Sequence, residues 1–163
     1  MKNNWKLVVL AVFGILFSNL ATAQTTKYKT MIQMNNYSGK AAYVVVSLIN
    51  PKGQYEKTLG ILGNDDEWYN TLKEWDKFNK KKKEKLHGIT GASVGAGARA
   101  TRVIEFDADK MNKGYKIRFE SAVETQKYHV KDAEVALSSD ILDSKDPVKG
   151  TGYIRTIRFV KVN

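Results

Sequence analysis

Two hydroxyl side chains close together are the residues of this sequence best placed for chemistry. Thr90 and Ser93 flank Gly91 and Ala92 in the run 86–97, which consists mostly of small residues. Because glycine and alanine leave the backbone accessible, a partner could come close to either hydroxyl. A hydroxyl of this kind can act as a nucleophile or carry a covalently attached group. We therefore take this segment as the candidate functional site.

Several standard catalytic patterns are missing around these hydroxyls. Ser93 has no G-x-S-x-G context, and the glycines at 95 and 97 lack the lysine and hydroxyl that complete a phosphate-binding loop. His87 and His129 are the only histidines and neither belongs to a His-x-His or His-Glu pattern, so no catalytic zinc site is indicated. We predict a protein without metal and without catalysis of its own.

The beginning of the chain has the pattern of a secretory leader. Two lysines precede the apolar run 7–17, which is too short to span a bilayer comfortably, and Ala-Thr-Ala at 21–23 forms a small-residue cleavage site. We predict that 1–23 is a cleaved signal peptide and that 24–163 is a single, soluble periplasmic domain. An uncleaved membrane anchor is the alternative.

Charge and cysteine content limit the partners. The sequence contains no cysteine and has a net charge of +10, which falls by two when the leader and its two lysines are removed. An exported basic protein is not expected to meet nucleic acid. Acidic polymers, an anionic membrane surface or a phosphate-bearing ligand are the partners that this charge favours.

Hydrophobic patterning predicts a protein made mostly of strands. Tyr28, Thr30, Ile32 and Met34 alternate along a first strand. The continuous β-prone run 43–49 predicts a central strand. It is followed by the turn sequence Asn-Pro-Lys-Gly and a returning strand at 55–61, which together form a hairpin.

The second half of the chain is predicted to continue in the same way. Strands at 101–106 and 115–119 have hairpin form, and one more strand or strand pair lies within 127–137. A polar loop, 138–152, precedes the closing strand 153–162, in which Ile154 is predicted to face away from Ile157. The fold class is therefore mostly β: a two-layer antiparallel, immunoglobulin-like sandwich with one inserted helix.

The inserted helix is predicted between residues 65 and 80. Asn64 can cap it, with Glu67 three residues later, and Trp68 and Trp75 share one face. Two tryptophans in one stripe are compatible with stacking on a cofactor or with burial against a sheet. Burial is the commoner use of large aromatic side chains.

The segments described so far resemble the predicted periplasmic family DUF2271. The likeness covers about Tyr43 to Glu120 and rests on the strand YVVVSLI, the turn NPKG, the tryptophan-bearing helix, the sequence GITGAS and the pair of segments Phe106-Asp107 and Gly114-Tyr115. In the family, the last pair resembles the immunoglobulin-like sandwich of flagellar hook-scaffolding proteins. The resemblance therefore implies the same fold class.

The resemblance also implies a cofactor. The central family pattern, Asp-x-x-Thr-Gly-Ala-Thr/Ser, is similar to the sequence that flavin transferases of the ApbE type recognise in exported redox proteins. Carried over to this chain, it implies that Ser93 holds flavin mononucleotide (FMN) through a phosphoester bond and that Thr90, Gly91 and Ala92 lead to it. His87 stands where the family has Asp.

Two functions follow as expectations. In the first, the protein is an electron-transfer protein that works with a membrane reductase of the PepSY type. The lysines at 80–83 and 85, together with Arg99, balance the phosphate charge, and Trp68 or Trp75 stacks on the ring. In the second, it is a binding or scaffolding module without cofactor, and the motif lies in a flexible connector.

Overall fold

A computed structural model describes residues 24–162; the predicted signal peptide lies outside the described residues. The strands are β1 Thr25–Met34, β2 Tyr43–Ile49, β3 Tyr55–Leu62, β4 Thr90–Gly91, β5 Arg99–Asp107, β6 Lys116–Ala122, β7 Tyr128–Ala136, β8 Val148–Lys149 and β9 Ile154–Val162. The helices are α1 Lys73–Lys82, preceded by the 3-10 helix Asp66–Thr71, and α2 Ser139–Leu142, while the 3-10 turn Ala108–Lys110 follows β5.

The strands form two sheets packed face to face. One sheet has the order β5-β1-β9-β8 and the other β4-β3-β2-β6-β7. Neighbouring strands are antiparallel except β3 and β4, which are parallel. The main core lies between the sheets, and a smaller one lies between the five-stranded sheet and the helices. The predicted mostly β sandwich is thus confirmed.

The first strands follow their sequence patterns. Tyr28, Thr30, Ile32 and Met34 of β1 are all buried, as their alternation predicts. The apolar run of β2 is buried at six of its seven positions. It lies between β3 and β6, where one of its faces meets the other sheet and the other meets the helices.

The predicted hairpin between β5 and β6 is wrong, because the two strands belong to different sheets. β5 pairs with β1, where Val103 lies opposite Lys29, and β6 pairs with β2, where Phe119 lies opposite Val46. The connection between them crosses from one sheet to the other. Phe106 at the end of β5 stacks on Tyr28 of β1, with ring centres 6.0 Å apart.

The predicted single helix is two helices with a break at Leu72. The φ of −90° and ψ of 61° at this residue are not helical, and Asp65 rather than Asn64 caps the first helix by accepting a hydrogen bond from Glu67 N at 3.1 Å. In one continuous α-helix Tyr69 and Trp75 would lie on different faces. The break lets both rings enter the smaller core, where they meet edge to face at 5.2 Å.

The closing strand differs from the simple alternation that its sequence suggests. The register shifts between Gln33, which is opposite Thr156, and Met34, which is opposite Ile154. Arg155 is the extra residue of this bulge and is exposed, so Ile154 is buried together with Ile157 instead of facing away from it. The polar loop before the strand contains α2 and β8.

Candidate functional site

The small-residue motif is anchored to the edge of the five-stranded sheet. Thr90 and Gly91 form β4, in parallel register with Ile61 and Leu62 of β3. Ile61 N donates to the carbonyl of Ile89 at 2.8 Å, which begins this short ladder. The motif therefore starts as an edge strand rather than as an unattached loop.

A second anchor follows Ser93 immediately. The backbones of Val94 and Ala42 exchange two hydrogen bonds, of 2.8 and 2.9 Å, and the hydroxyl of Tyr37 donates to the carbonyl of Val94 at 2.6 Å. Val94 itself is buried. Ser93 consequently lies between two fixed stretches of backbone, which does not fit the expectation of a flexible connector.

Gly63 permits the close packing beside this edge. Its N–H donates to the carbonyl of Gly91 at 2.6 Å, and its φ is +146°. A Cβ at this position would lie 2.1 Å from the ring of Tyr43. A larger residue would therefore displace either the tyrosine ring or the motif.

Ser93 lines a cleft of about 290 Å³ that also contains a cation and two aromatic rings. The other residues that line it are Lys40, Ala41, Tyr43, Trp68, Thr71 and Glu124. Lys40 Nζ lies 2.6 Å from Glu124 Oε2 and 5.7 Å from the centre of the Trp68 ring. Burial, together with the nearby charge of Asp65, raises the pKa of Tyr43, so its hydroxyl stays neutral.

The 3-10 helix directs Trp68 into this cleft. With about three residues per turn, Trp68 and Tyr69 point in different directions. Tyr69 is buried and its hydroxyl donates to the carbonyl of Gly63 at 3.0 Å, while Trp68 remains half-buried. Thr71 Oγ1 donates to the carbonyl of Trp68 at 2.6 Å, which closes the helix.

Trp75 is not available for stacking on a ligand. Its side chain is completely buried in the smaller core, and its indole N–H donates to Thr58 Oγ1 at 2.9 Å. Thr58 in turn donates from its backbone N–H to Glu84. The cofactor-stacking role expected of Trp75 does not fit the structure, and its alternative role in the core does.

His87 and the cations expected to serve the site lie elsewhere. His87 is exposed in the turn before β4 and does not line the Ser93 cleft. Lys80 pairs with Asp76 at 2.6 Å, and Arg99 donates to Gln33. The cleft is not lined by any of the lysines at 80–83 and 85 or by Arg99. Lys40 is the cationic side chain that lines it instead.

Lys40, Glu124 and Arg102 are the functional candidates that sequence analysis missed. Arg102 Nη2 donates to the carbonyl of Gly88 at 2.8 Å, and its other terminal nitrogen would lie 3.3 Å from a Cβ on Gly91. Lys40 follows the turn after β1, and Glu124 follows β6. No periodicity or motif connects these positions. Lys40 and Glu124 meet because β2 pairs with β6, and Arg102 reaches the motif from β5 in the other sheet.

The described residues contain no group of three or more histidine, cysteine or acidic side chains that could hold a metal ion. Between residues 24 and 162, no helix has the length and apolar character needed to cross a bilayer. What the site offers is a serine on anchored backbone, an ammonium–carboxylate pair and two aromatic rings in one cleft.

By its structure, this protein is a β-sandwich with a small polar cleft at the edge of one sheet. Residues 25–156 match the family described as predicted periplasmic protein (DUF2271), and the chain belongs to that family. A search of curated proteins and a search of solved structures each found no match. The family description agrees with the periplasmic location inferred from the leader.

Proposed function

We propose that this protein is an exported electron carrier that holds FMN through a phosphoester bond to Ser93 Oγ. The observation that carries this proposal is the cleft in which the Ser93 hydroxyl, the Lys40 ammonium group and the Trp68 ring come together. The backbone anchors on both sides of Ser93 hold this residue at the cleft.

The residues present fit the cofactor. Lys40, whose ammonium group lies 2.6 Å from Glu124, can turn to pair with the phosphate, and Arg102 beside Gly91 adds a second positive charge near the motif. Trp68 offers an indole on which a flavin ring can stack. At about 290 Å³ the cleft is just below the usual range for ligand pockets, roughly 300–1,000 Å³, so it suits the phosphate and part of the ring.

A flavin bound in this way supplies one- and two-electron transfer. The chain contributes position and charge: Ser93 fixes the attachment point, Lys40 compensates the phosphate charge, and Trp68 orients the ring. Because the cleft is smaller than the whole group, a redox partner would be able to approach a flavin held there by Ser93. A membrane reductase of the PepSY type is the partner that we propose.

Attachment is a group transfer from a flavin dinucleotide, catalysed by an ApbE-type transferase. Ser93 Oγ forms a bond to the phosphorus of the FMN half, the pyrophosphate P–O bond breaks, AMP leaves, and the hydroxyl proton passes to a base of the transferase. The edge position of β4 and the exposure of Ala92 make the motif accessible to such an enzyme.

Flavin fluorescence after denaturing electrophoresis tests the attachment. The protein is coexpressed with an ApbE-type transferase, and a fluorescent band is expected for the wild type and for Ser38→Ala, since Ser38 is exposed and outside the cleft. Ser93→Ala is expected to give a dark band of equal protein content. Equal fluorescence of Ser93→Ala and the wild type would contradict the proposal.

The second candidate function is a binding or scaffolding module without cofactor. It is favoured by the presence of histidine at position 87, where the flavinylation pattern has Asp. His87 is exposed, so His87→Asp changes the recognition sequence without disturbing the core. If the motif is used, this variant is expected to acquire flavin faster than the wild type. If neither the variant nor the wild type acquires flavin, the second candidate is favoured.

A further inference from the structure

The outer faces of the two sheets differ. The helices cover the outer face of the five-stranded sheet and form the smaller core with it. On the four-stranded sheet, four large apolar side chains are exposed on the outer face. They are Met31 (37%), Val103 (49%), Val160 (44%) and Val162 (40%), and Ile141 is the fifth exposed one among the described residues. Exposed apolar side chains are thus concentrated on one face.

Basic side chains alternate with these apolar ones. Strand register places Lys29 directly between Val103 and Val160, and Met31 between Thr101 and Arg158. Because residues opposite one another on neighbouring strands point to the same side of the sheet, these side chains share one surface. We call the outward-facing residues of β5, β1 and β9 the outer face.

One end of the outer face contains a groove of about 490 Å³ lined by three arginines. Arg99 donates to Gln33, and Arg158 donates to the carbonyl of Lys145 at 2.6 Å. Arg155 is exposed in the bulge of β9, and its side chain makes no hydrogen bond with other described residues. Guanidinium groups match the geometry of phosphate, so the groove suits a phosphate group.

Negative charge on the outer face is sparse and already paired. Glu105 lies 3.4 Å from Lys27, and Asp107 lies 2.9 Å from Lys110. No acidic residue lines the groove of the three arginines. The outer face therefore presents net positive charge around an apolar centre.

We propose that the outer face binds a membrane surface rich in anionic phospholipid, with a headgroup phosphate in the arginine groove. The strand dimensions limit this surface to roughly 430 Å², about half of the roughly 800 Å² per partner of a stable protein complex. A second copy would bring like charges together. A charged bilayer has no such area requirement, and it attracts each nearby lysine or arginine. This assignment is independent of flavin attachment at Ser93.

Sedimentation with lipid vesicles tests this proposal. The chain from Gln24 onward is used, because the residues that form both sheets and both cores lie within it. It is expected to sediment with phosphatidylcholine vesicles that contain about one third phosphatidylglycerol and to stay in solution with phosphatidylcholine alone. The double variant Lys29→Glu/Arg155→Glu is expected to bind the anionic vesicles at least about tenfold more weakly.

A matched variant separates this face from overall charge. Lys52→Glu/Lys81→Glu makes the same charge change at exposed positions in the β2–β3 turn and on α1, and its binding is expected to stay within about twofold of the wild type. Circular dichroism and the unfolding temperature verify that both variants are folded. Equal losses in both double variants would overturn the proposal. Failure of the wild type to prefer anionic vesicles would also overturn it, and would leave an acidic protein as the occupant.

Discussion

Lys40 lies between a carboxylate and an indole in the cleft of Ser93. Its Nζ is 2.6 Å from Glu124 Oε2 and 5.7 Å from the centre of the Trp68 ring. The Lys40 side chain is 72% exposed, so it can turn from Glu124 to a phosphate on Ser93 without disturbing the core. Single substitutions can therefore test the ammonium group of Lys40, the ring of Trp68 and the hydroxyl of Ser93 one at a time.

Lys40→Met is expected to slow flavin attachment about tenfold, because one charge-assisted contact to the phosphate is lost. Stability is expected to change by less than about 1 kcal/mol, since an exposed ion pair contributes little. The initial rate of flavin incorporation by the transferase measures the effect. Lys52→Met, an equal change outside the cleft, serves as the control, and an equal slowing there would argue against a role for Lys40.

Trp68→Ala is expected to increase the fluorescence of the attached flavin, because a stacked indole quenches flavin emission by electron transfer. Trp68→Phe, which keeps an aromatic ring but no indole, is expected to give an intermediate value. Trp75→Phe is the matched control: it is expected to lower stability but to leave the emission unchanged, since Trp75 lies in the core. Emission that responds to Trp75 and not to Trp68 would contradict the assignment.

Asp132 is expected to stabilise the loop before β9. Its buried carboxylate accepts hydrogen bonds from the backbone N–H groups of Thr151, Gly152 and Ile154, at 3.0, 2.7 and 2.9 Å. Asp132→Ala should therefore lower the free energy of unfolding by at least about 3 kcal/mol, measured with urea. Asp146→Ala, at an exposed position of the preceding loop, should cost less than about 0.5 kcal/mol. Similar losses in the two variants would show that the carboxylate does not act in this way.

Glu120 is expected to make stability depend on pH. This carboxyl is fully buried and accepts hydrogen bonds from the hydroxyls of Tyr55 and Tyr128. Burial raises its pKa to about 7, above its value in the unfolded chain, while the two tyrosine hydroxyls and the neighbouring Arg118 oppose this shift. The folded state therefore binds the proton more tightly than the unfolded state.

Unfolding free energy should consequently fall as pH rises from about 5 to about 8, by an amount on the order of a few kcal/mol, and level off above the folded pKa. Glu120→Gln should remove most of this slope. Urea titrations at several pH values measure it. A slope that is unchanged in Glu120→Gln would assign the effect to another group.

Local patterns were sufficient to predict much of the fold. The alternation in β1 identified a strand with one buried side, and the continuous apolar run in β2 identified a central strand, because the period of the apolar side chains shows which faces of a strand are buried. Sheet membership was not predictable in this way. The turn residues between β5 and β6 suit a hairpin and a crossing equally well, and the pairing of Val103 with Lys29 joins strands distant in sequence.

The candidate site was predictable to a similar extent. Composition and motif indicated Ser93, and helical spacing indicated Trp68, but spacing alone could not show that the break at Leu72 sends Trp68 to the cleft and Trp75 to the core. Lys40 and Glu124 belong to segments with no pattern of their own. Their proximity depends on the pairing of β2 with β6, and the bridge between Ala42 and Val94 beside β2 brings Ser93 to them.

The intact mass of the mature protein, coexpressed with an ApbE-type transferase, tests the central claim most directly. We predict a mass increment equal to FMN less one water, a yellow colour, and the loss of both in Ser93→Ala. An unmodified mass under conditions that label a known acceptor would contradict the account.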